Sequence, residues 1–326
     1  MKKIALLSSN TNFFGNLERE FLNRNCEIQK LSYTNDVKYN YMQIGRLINW
    51  CDFVFVDFAQ EPLPELLKYC GKPIVVRLHR IEVYNPQISS WDWSKVNLLI
   101  FIADHVKQIF EKKTKYNLKY PPQKTIVLKE GVDISKFTMP EIPRDYKLPL
   151  KIGMTGTVVP KKRFYTAIQL LYEIPDCELY IAGNYNNVFP GYGNIEYYEN
   201  CLNLIEDLGL QDRVHFLGHV QDMNKFYQSI DIFLSMSNEE GYHASVMEAM
   251  ACGCIPVVHN WRGAKDIYDK FVLSGFKELM DRLTRLPVIC NTLGNELAKQ
   301  CRYAILDERN AEELTKYSVD YILMEV

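Results

Sequence analysis

The 326-residue sequence has no Cys-x-x-Cys pair, no Asp-x-Asp pair and no apolar run near the roughly 18 residues that a membrane-spanning helix needs. Its nine cysteines (26, 51, 70, 177, 201, 252, 254, 290 and 301) are scattered and odd in number. That excludes a disulfide framework and suits a reducing, cytoplasmic setting. Cys252-Gly253-Cys254 lacks a second Cys/His pair at ligand spacing, and no His/Cys/Asp cluster has that spacing either. Neither a metal nor another cofactor is therefore expected. A basic excess is missing too: Lys and Arg total 38 against 40 Asp and Glu, which argues against nucleic acid as a partner. After Met1-Lys2-Lys3 the apolar run Ile4-Ala5-Leu6-Leu7 ends at Ser8, with no small-residue cleavage site beyond it. A first strand fits this better than a signal peptide.

What is present is an ordinary globular composition, 47% hydrophobic and 24% charged, in a chain long enough for two domains. Short β-branched runs at 3–8, 27–31, 53–57, 74–78, 98–102 and 125–128 read as strands, and the second half repeats them at 151–155, 178–182, 214–217, 231–235, 255–258 and 271–274. Helical patterns fall between them, at 16–23, 104–113 and 199–208. The last of these puts Leu202, Ile205 and Leu208 on one face and stops at Gly209. Alternating strands and helices imply parallel sheets covered on both faces. The segment 139–149 holds three prolines and reads as an interdomain linker. The expectation is an α/β chain of two doubly wound, Rossmann-like domains, 1–145 and 146–305, facing across a cleft that binds the ligand.

The most informative stretch runs from Ser235 to Val258. It leaves the strand ending Ile232-Phe233-Leu234, crosses a polar loop, enters a helix near Ala244 and leaves through Gly253 into another strand. The free N–H groups of that helix start form a ready site for a pyrophosphate or a sugar hydroxyl. Glu240 before the helix and Glu248 inside it are placed to accept hydrogen bonds from the vicinal hydroxyls of a ribose or a hexose. On spacing alone, Ser245-x-x-Glu248 fits a capping box equally well, and Glu240 an ordinary loop acid.

Glu240-Gly241-Tyr242 followed by Glu248-Ala249-Met250-Ala251-Cys252-Gly253-Cys254-Ile255-Pro256-Val257-Val258 resembles the E-x7-E donor motif of glycosyltransferase family 4, retaining enzymes of the GT-B fold. Glu130-Gly131-Val132-Asp133 with Phe137, and Arg213-Val214-His215-Phe216-Leu217-Gly218, are similar to further landmarks of that family in order and spacing. The resemblance implies transfer of a sugar from a nucleotide-diphosphate donor to an acceptor hydroxyl with retention of configuration, in glycan or polysaccharide biosynthesis. It places Glu248 on the ribose, Glu240 near the donor sugar, and the amides of Tyr242, His243, Ala244 and Ser245 near sugar and phosphates. Gly241 belongs to the same donor loop, and His219 and Val220 are expected to meet the base through backbone groups. His243 replaces a usual glycine.

By the same resemblance, the loop Gly156-Thr157-Val158-Val159-Pro160-Lys161-Lys162-Arg163 supplies the phosphate-binding cations. Lys162 matches the family lysine, Thr157 stands where an arginine is usual, and Arg163 is the candidate for the missing charge. Read alone, Lys161-Lys162-Arg163 is an ordinary solvated basic turn. His79, at the end of the 74–78 strand, matches the histidine that the family presents to the donor sugar and is taken as catalytic with Glu240. Arg77, Arg80 and Glu82 border the same edge as acceptor-binding candidates. Gly15 closes a loop, Ser9-Asn10-Thr11-Asn12-Phe13-Phe14-Gly15, that lacks the family's double glycine. The tail 306–326 is expected to pack as a helix on the N-terminal domain. The acceptor is a glycan, a lipid-linked sugar or a small molecule. The basic, tyrosine-bearing stretch 111–120 allows weak contact with the inner membrane face, although a solvated helix end fits it more simply. The rival readings are a catalytically silent GT-B binding subunit and a GT-B-fold sugar-nucleotide epimerase.

Overall fold

Among the described residues, twelve short apolar runs form twelve parallel strands in two six-stranded sheets. The structure, a computed structural model, describes residues 1–8, 14–34, 36–60, 62–115, 120–185 and 195–326, with the backbone alone for Glu308. The chain divides into two compact units: Met1–Gly131 together with Ala311–Val326, and Val132–Asn310.

In the first unit the strands are β1 (Lys3–Ser8), β2 (Glu27–Ser32), β3 (Phe53–Asp57), β4 (Ile74–Leu78), β5 (Leu98–Phe101) and β6 (Lys124–Val127), in the order β2-β1-β3-β4-β5-β6. Every residue of β3, β4 and β5 is buried, whereas the edge strands β2 and β6 are largely open. This is the pattern of a parallel sheet with helices on both faces. Those helices include α1 (Gly15–Asn23), α2 (Val37–Trp50), α3 (Leu63–Tyr69) and α4 (Asp104–Thr114). Asp36 caps α2 by accepting a hydrogen bond from the Tyr39 amide.

The second unit holds β7 (Leu150–Thr155), β8 (Cys177–Ala182), β9 (Val214–Gly218), β10 (Ile232–Ser235), β11 (Ile255–His259) and β12 (Val272–Leu273). Its helices are α5 (Phe164–Tyr172), α6 (Ile195–Asp207), α7 (Met223–Gln228), α8 (Ala244–Ala251), α9 (Ala264–Tyr268) and the long α10 (Phe276–Glu308). The last helix, α11 (Ala311–Glu325), belongs to the first unit, where it packs on α1. Val319 and Ile322 enter the core of Phe14, Phe21 and Phe55, and Arg24 grips Asp320 at 2.8 and 3.0 Å.

The division falls at Gly131/Val132, upstream of the proline-rich segment. That segment is held to the second unit by Arg144, whose guanidinium donates to the carbonyls of Tyr227, Ile230, Cys252 and Gly253 at 2.9–3.0 Å. The Tyr146 hydroxyl adds a bond of 3.1 Å to the Gly294 carbonyl. Three prolines therefore shape a packed strap here, not a loose tether. One sequence expectation changes in detail: α6 buries Cys201 and Ile205 and leaves Leu202 exposed, so its inward stripe is turned by about one residue. Among the described residues, no helix is long and apolar enough to cross a membrane.

Candidate active site

Counted within the second unit, the strand order β9-β8-β7-β10-β11-β12 is 3-2-1-4-5-6, and the order reverses between β7 and β10. Ligands of doubly wound sheets bind outside the carboxyl ends of the strands at such a switch point. Two loops leave the sheet there, 156–163 after β7 and 236–243 after β10, and the Asn238 amide joins them by donating to the Lys161 carbonyl at 2.9 Å. The loop after β7 needs glycine. Gly156 has φ +124, and a Cβ on Gly183 would lie 1.8 Å from the Gly156 carbonyl oxygen.

Lys162 and Glu240 meet across these loops, Nζ to Oε1 at 2.5 Å, with side chains only 16% and 14% exposed. Burial would raise the Glu240 carboxyl, but His243, Lys162 and the Ser237 hydroxyl hold it down at about 2. His243, the residue before α8, is buried; burial and the Lys162 charge bring its imidazole down to about 4. Near neutral pH the site therefore contains an ionised acid, a neutral imidazole and a lysine. The Tyr268 hydroxyl lies 2.8 Å from the carbonyl oxygens of both Tyr242 and His243 and fixes the backbone entering α8.

Glu248 sits one turn into α8, where its carboxylate accepts a 2.8 Å bond from the buried Tyr227 hydroxyl. Burial raises the Glu248 carboxyl despite this bond. At the other end of α8, Arg302 donates to the Ala251 carbonyl at 2.7 Å, beside the Arg144 bonds to Cys252 and Gly253. Cations at the helix C-terminus complement its dipole and leave the N-terminal amides of Ala244 and Ser245 as the positive end.

Arg163 starts α5 with φ 56, and its Nη1 lies 3.1 Å from Nε2 of His259 at the end of β11. Thr157 and Gly241 are half-buried in their loops. His219, exposed, and Val220, half-buried, follow the edge strand β9, two strands away from β7.

In the first unit, Asp57, Arg77 and His79 form a closed cluster at the ends of β3 and β4. Arg77 donates twice to Asp57, Nε and Nη2 at 2.8 Å each, and His79 Nε2 lies 2.9 Å from Asp57 Oδ1. Burial opposes charge on Asp57, but the Arg77 and His79 bonds outweigh it and hold the acid below the usual carboxylate range. The His79 ring stacks on Phe58 at 3.9 Å, and Phe58 itself has φ 70. Glu82 accepts the His79 amide at 2.6 Å on Oε2, while its Oε1 is buried without a hydrogen-bond partner. Burial pushes this acid up to about 7. Arg80 leaves the cluster and lies over the Tyr84 ring at 4.8 Å. Gly15 begins α1 in open space; residues 9–13 of its loop lie outside the described residues, as do 116–119 of the basic stretch.

Asp57, Ser235, Tyr227, Tyr268 and His259 escaped sequence reasoning. For two of them a signal existed: Asp57 ends Phe53-Val54-Phe55-Val56 and Ser235 ends Ile232-Phe233-Leu234, each a polar residue closing a buried strand. Tyr227 and Tyr268 look like core aromatics until their partners are known.

Two doubly wound units of this topology define the GT-B class of fold. The chain belongs to the glycosyl transferases group 1 family, whose model matches residues 136–318, more than half of its length. Over 149 residues it is 29% identical to a D-inositol 3-phosphate glycosyltransferase from Mycolicibacterium vanbaalenii, covering 42% of this chain and 33% of that one. Over 209 residues it is 27% identical to the Escherichia coli UDP-Gal:alpha-D-GlcNAc-diphosphoundecaprenol alpha-1,3-galactosyltransferase, covering 58% and 51%. The matches thus span a third to a half of these relatives. In fold the chain is similar to HepE from Anabaena, solved with UDP-glucose, at a TM-score of 0.77 and 15% identity over 100% of both chains.

Proposed function

We propose that the chain transfers a sugar from a nucleoside-diphosphate donor to an acceptor hydroxyl with retention of configuration, in glycan biosynthesis on the cytoplasmic side. The observation that carries this reading is the Lys162–Glu240 pair at the switch point, beside the N-terminus of α8. In the reaction the anomeric carbon–oxygen bond to the diphosphate breaks and a bond to the acceptor oxygen forms on the same face. The acceptor proton leaves with the diphosphate. Lys162 and the α8 amides are assigned to the negative charge that grows on the diphosphate, where preorganised charge contributes most. Glu240 is assigned to the sugar and Glu248, steadied by Tyr227, to the ribose hydroxyls. Lys162 supplies the charge that a metal supplies elsewhere, so the reaction is proposed to run without one.

The cluster around His79 is assigned to the sugar and acceptor chemistry of the first unit. There Asp57 orients the imidazole, and Arg77 serves as the partner of Asp57. A uridine donor and a lipid-linked acceptor follow the names of the similar proteins, one of which uses UDP-Gal on a diphosphoundecaprenol-linked sugar. A silent binding subunit would have no use for a lysine held on the donor acid, which favours the enzyme. The test is a thermal-shift panel with UDP, GDP, ADP and CMP, followed by transfer assays with UDP-galactose and UDP-glucose. One nucleotide diphosphate should raise the melting temperature selectively, and Glu240→Gln should remove transfer while leaving the fold intact. No shift with any of the four would sink the reading.

A further inference from the structure

His243 occupies a left-handed conformation, φ 56 and ψ 56, immediately before α8. Glycine adopts that conformation without steric cost, whereas a side chain there is strained. The fold nevertheless buries an imidazole at this point, between a serine and the donor-site acid. Ser235 closes β10, itself 2% exposed, and its Oγ lies 2.9 Å from His243 Nδ1. On the other side of the ring, Nε2 lies 3.9 Å from Glu240 Oε1, the same oxygen that Lys162 holds at 2.5 Å.

A neutral imidazole carries one N–H. Placed on Nδ1, it leaves the Nε2 lone pair facing a carboxylate. Placed on Nε2, it turns a positive edge toward Glu240, and Nδ1 accepts the Ser235 hydroxyl proton. Only the second arrangement suits both neighbours. The backbone that carries the ring is held by the Tyr268 hydroxyl at the carbonyls of Tyr242 and His243, and the ring itself by Ser235.

We infer that Ser235 and His243 are positioning residues for Glu240: the serine fixes the Nε2–H tautomer, and that N–H keeps the carboxylate aimed when a donor diphosphate draws Lys162 away. The inference rests on the donor-binding reading of Glu240. It also gives His243 a purpose at a position where glycine would be less strained.

The tautomer can be read without any donor. In two-bond proton–nitrogen correlation spectra of the 15N-labelled chain, His243 should show a protonated Nε2, and Ser235→Ala should convert it to a mixture. With UDP-glucose and UDP-galactose as probes, His243→Gly should melt no lower than the parent yet lose about tenfold in donor kcat/KM, and His243→Gln, which can return an N–H near the Nε2 position, should recover part of the loss. A protonated Nδ1 in the parent chain, or His243→Gly within about twofold of the parent kcat/KM, would overturn the inference. Absence of transfer with every donor would instead defeat the donor reading, and the spectra would still decide the tautomer.

Discussion

The carboxyl ends of the two sheets carry the same ingredients, an acid, a cation and a histidine, arranged to opposite effect. In the first unit Asp57 is fully enclosed and held by both Arg77 and His79, and Arg77 Nη1 also lies 3.9 Å from Glu130 Oε1, so opposite charges meet at the buried strand ends. The nearby acid Glu82 keeps one oxygen without a partner and holds its proton up to about pH 7. In the second unit the acid and cation come from different loops, both retain some exposure, and Glu240 stays ionised down to about 2. The same chemical set thus gives a closed clamp in one place and an accessible charged pair in the other. What decides is whether the cation lies on the neighbouring strand or on a loop that leaves the sheet.

This contrast is broken most severely at Asp57. Asp57→Ala leaves the buried Arg77 without its carboxylate and should cost about 3–5 kcal/mol, read by denaturant unfolding. Lys162→Ala should act on the other side of the contrast. Donor kcat/KM should fall by about 10²–10³, with little change in melting temperature, because Glu240 can still reach solvent.

The pH dependence of stability should carry both signatures with opposite sign. Glu82 holds its proton in the fold, so its contribution is present below about 4.5 and is lost as pH rises toward about 7. His243 is kept neutral, so the fold loses stability as pH falls from about 6.5 toward about 4. Each is worth at most about 3 kcal/mol. In unfolding measurements across this range, Glu82→Gln should remove the first slope and His243→Gly the second, each leaving the other in place. A pair of glycines sharpens the comparison at the smallest scale. Gly156→Ala meets both φ +124 and the Lys162 side chain at 2.9 Å, and should cost about 1–2 kcal/mol. Gly15→Ala, in open space at the start of α1, should be neutral or stabilising by less than about 1 kcal/mol.

Much of the architecture was legible because parallel strands announce themselves locally. All twelve runs that read as strands lie within about a residue of the observed bounds, since each is a short apolar segment between turn signals. Helices were less clear. The 33-residue α10 was not read at all, because it carries Pro287 and its apolar positions serve one core along only part of its length.

The order of apolar runs by itself determined that this chain is a pair of doubly wound α/β units, and the family resemblance of the stretch from Glu240 to Glu248 pointed to one strand-end loop and helix start as a candidate site. Periodicity acts within a few residues, so it could settle the strands; the candidate site came from the resemblance, because spacing alone fits a capping box equally well. Tertiary structure alone decided which residues meet. Lys162 reaches Glu240 across 78 positions, Arg77 reaches Asp57 across 20, and Tyr227 reaches Glu248 across 21. It also decided that the proline strap belongs to the second unit. Such contacts depend on strand order and on the burial that follows from it, and neither is written in any local pattern.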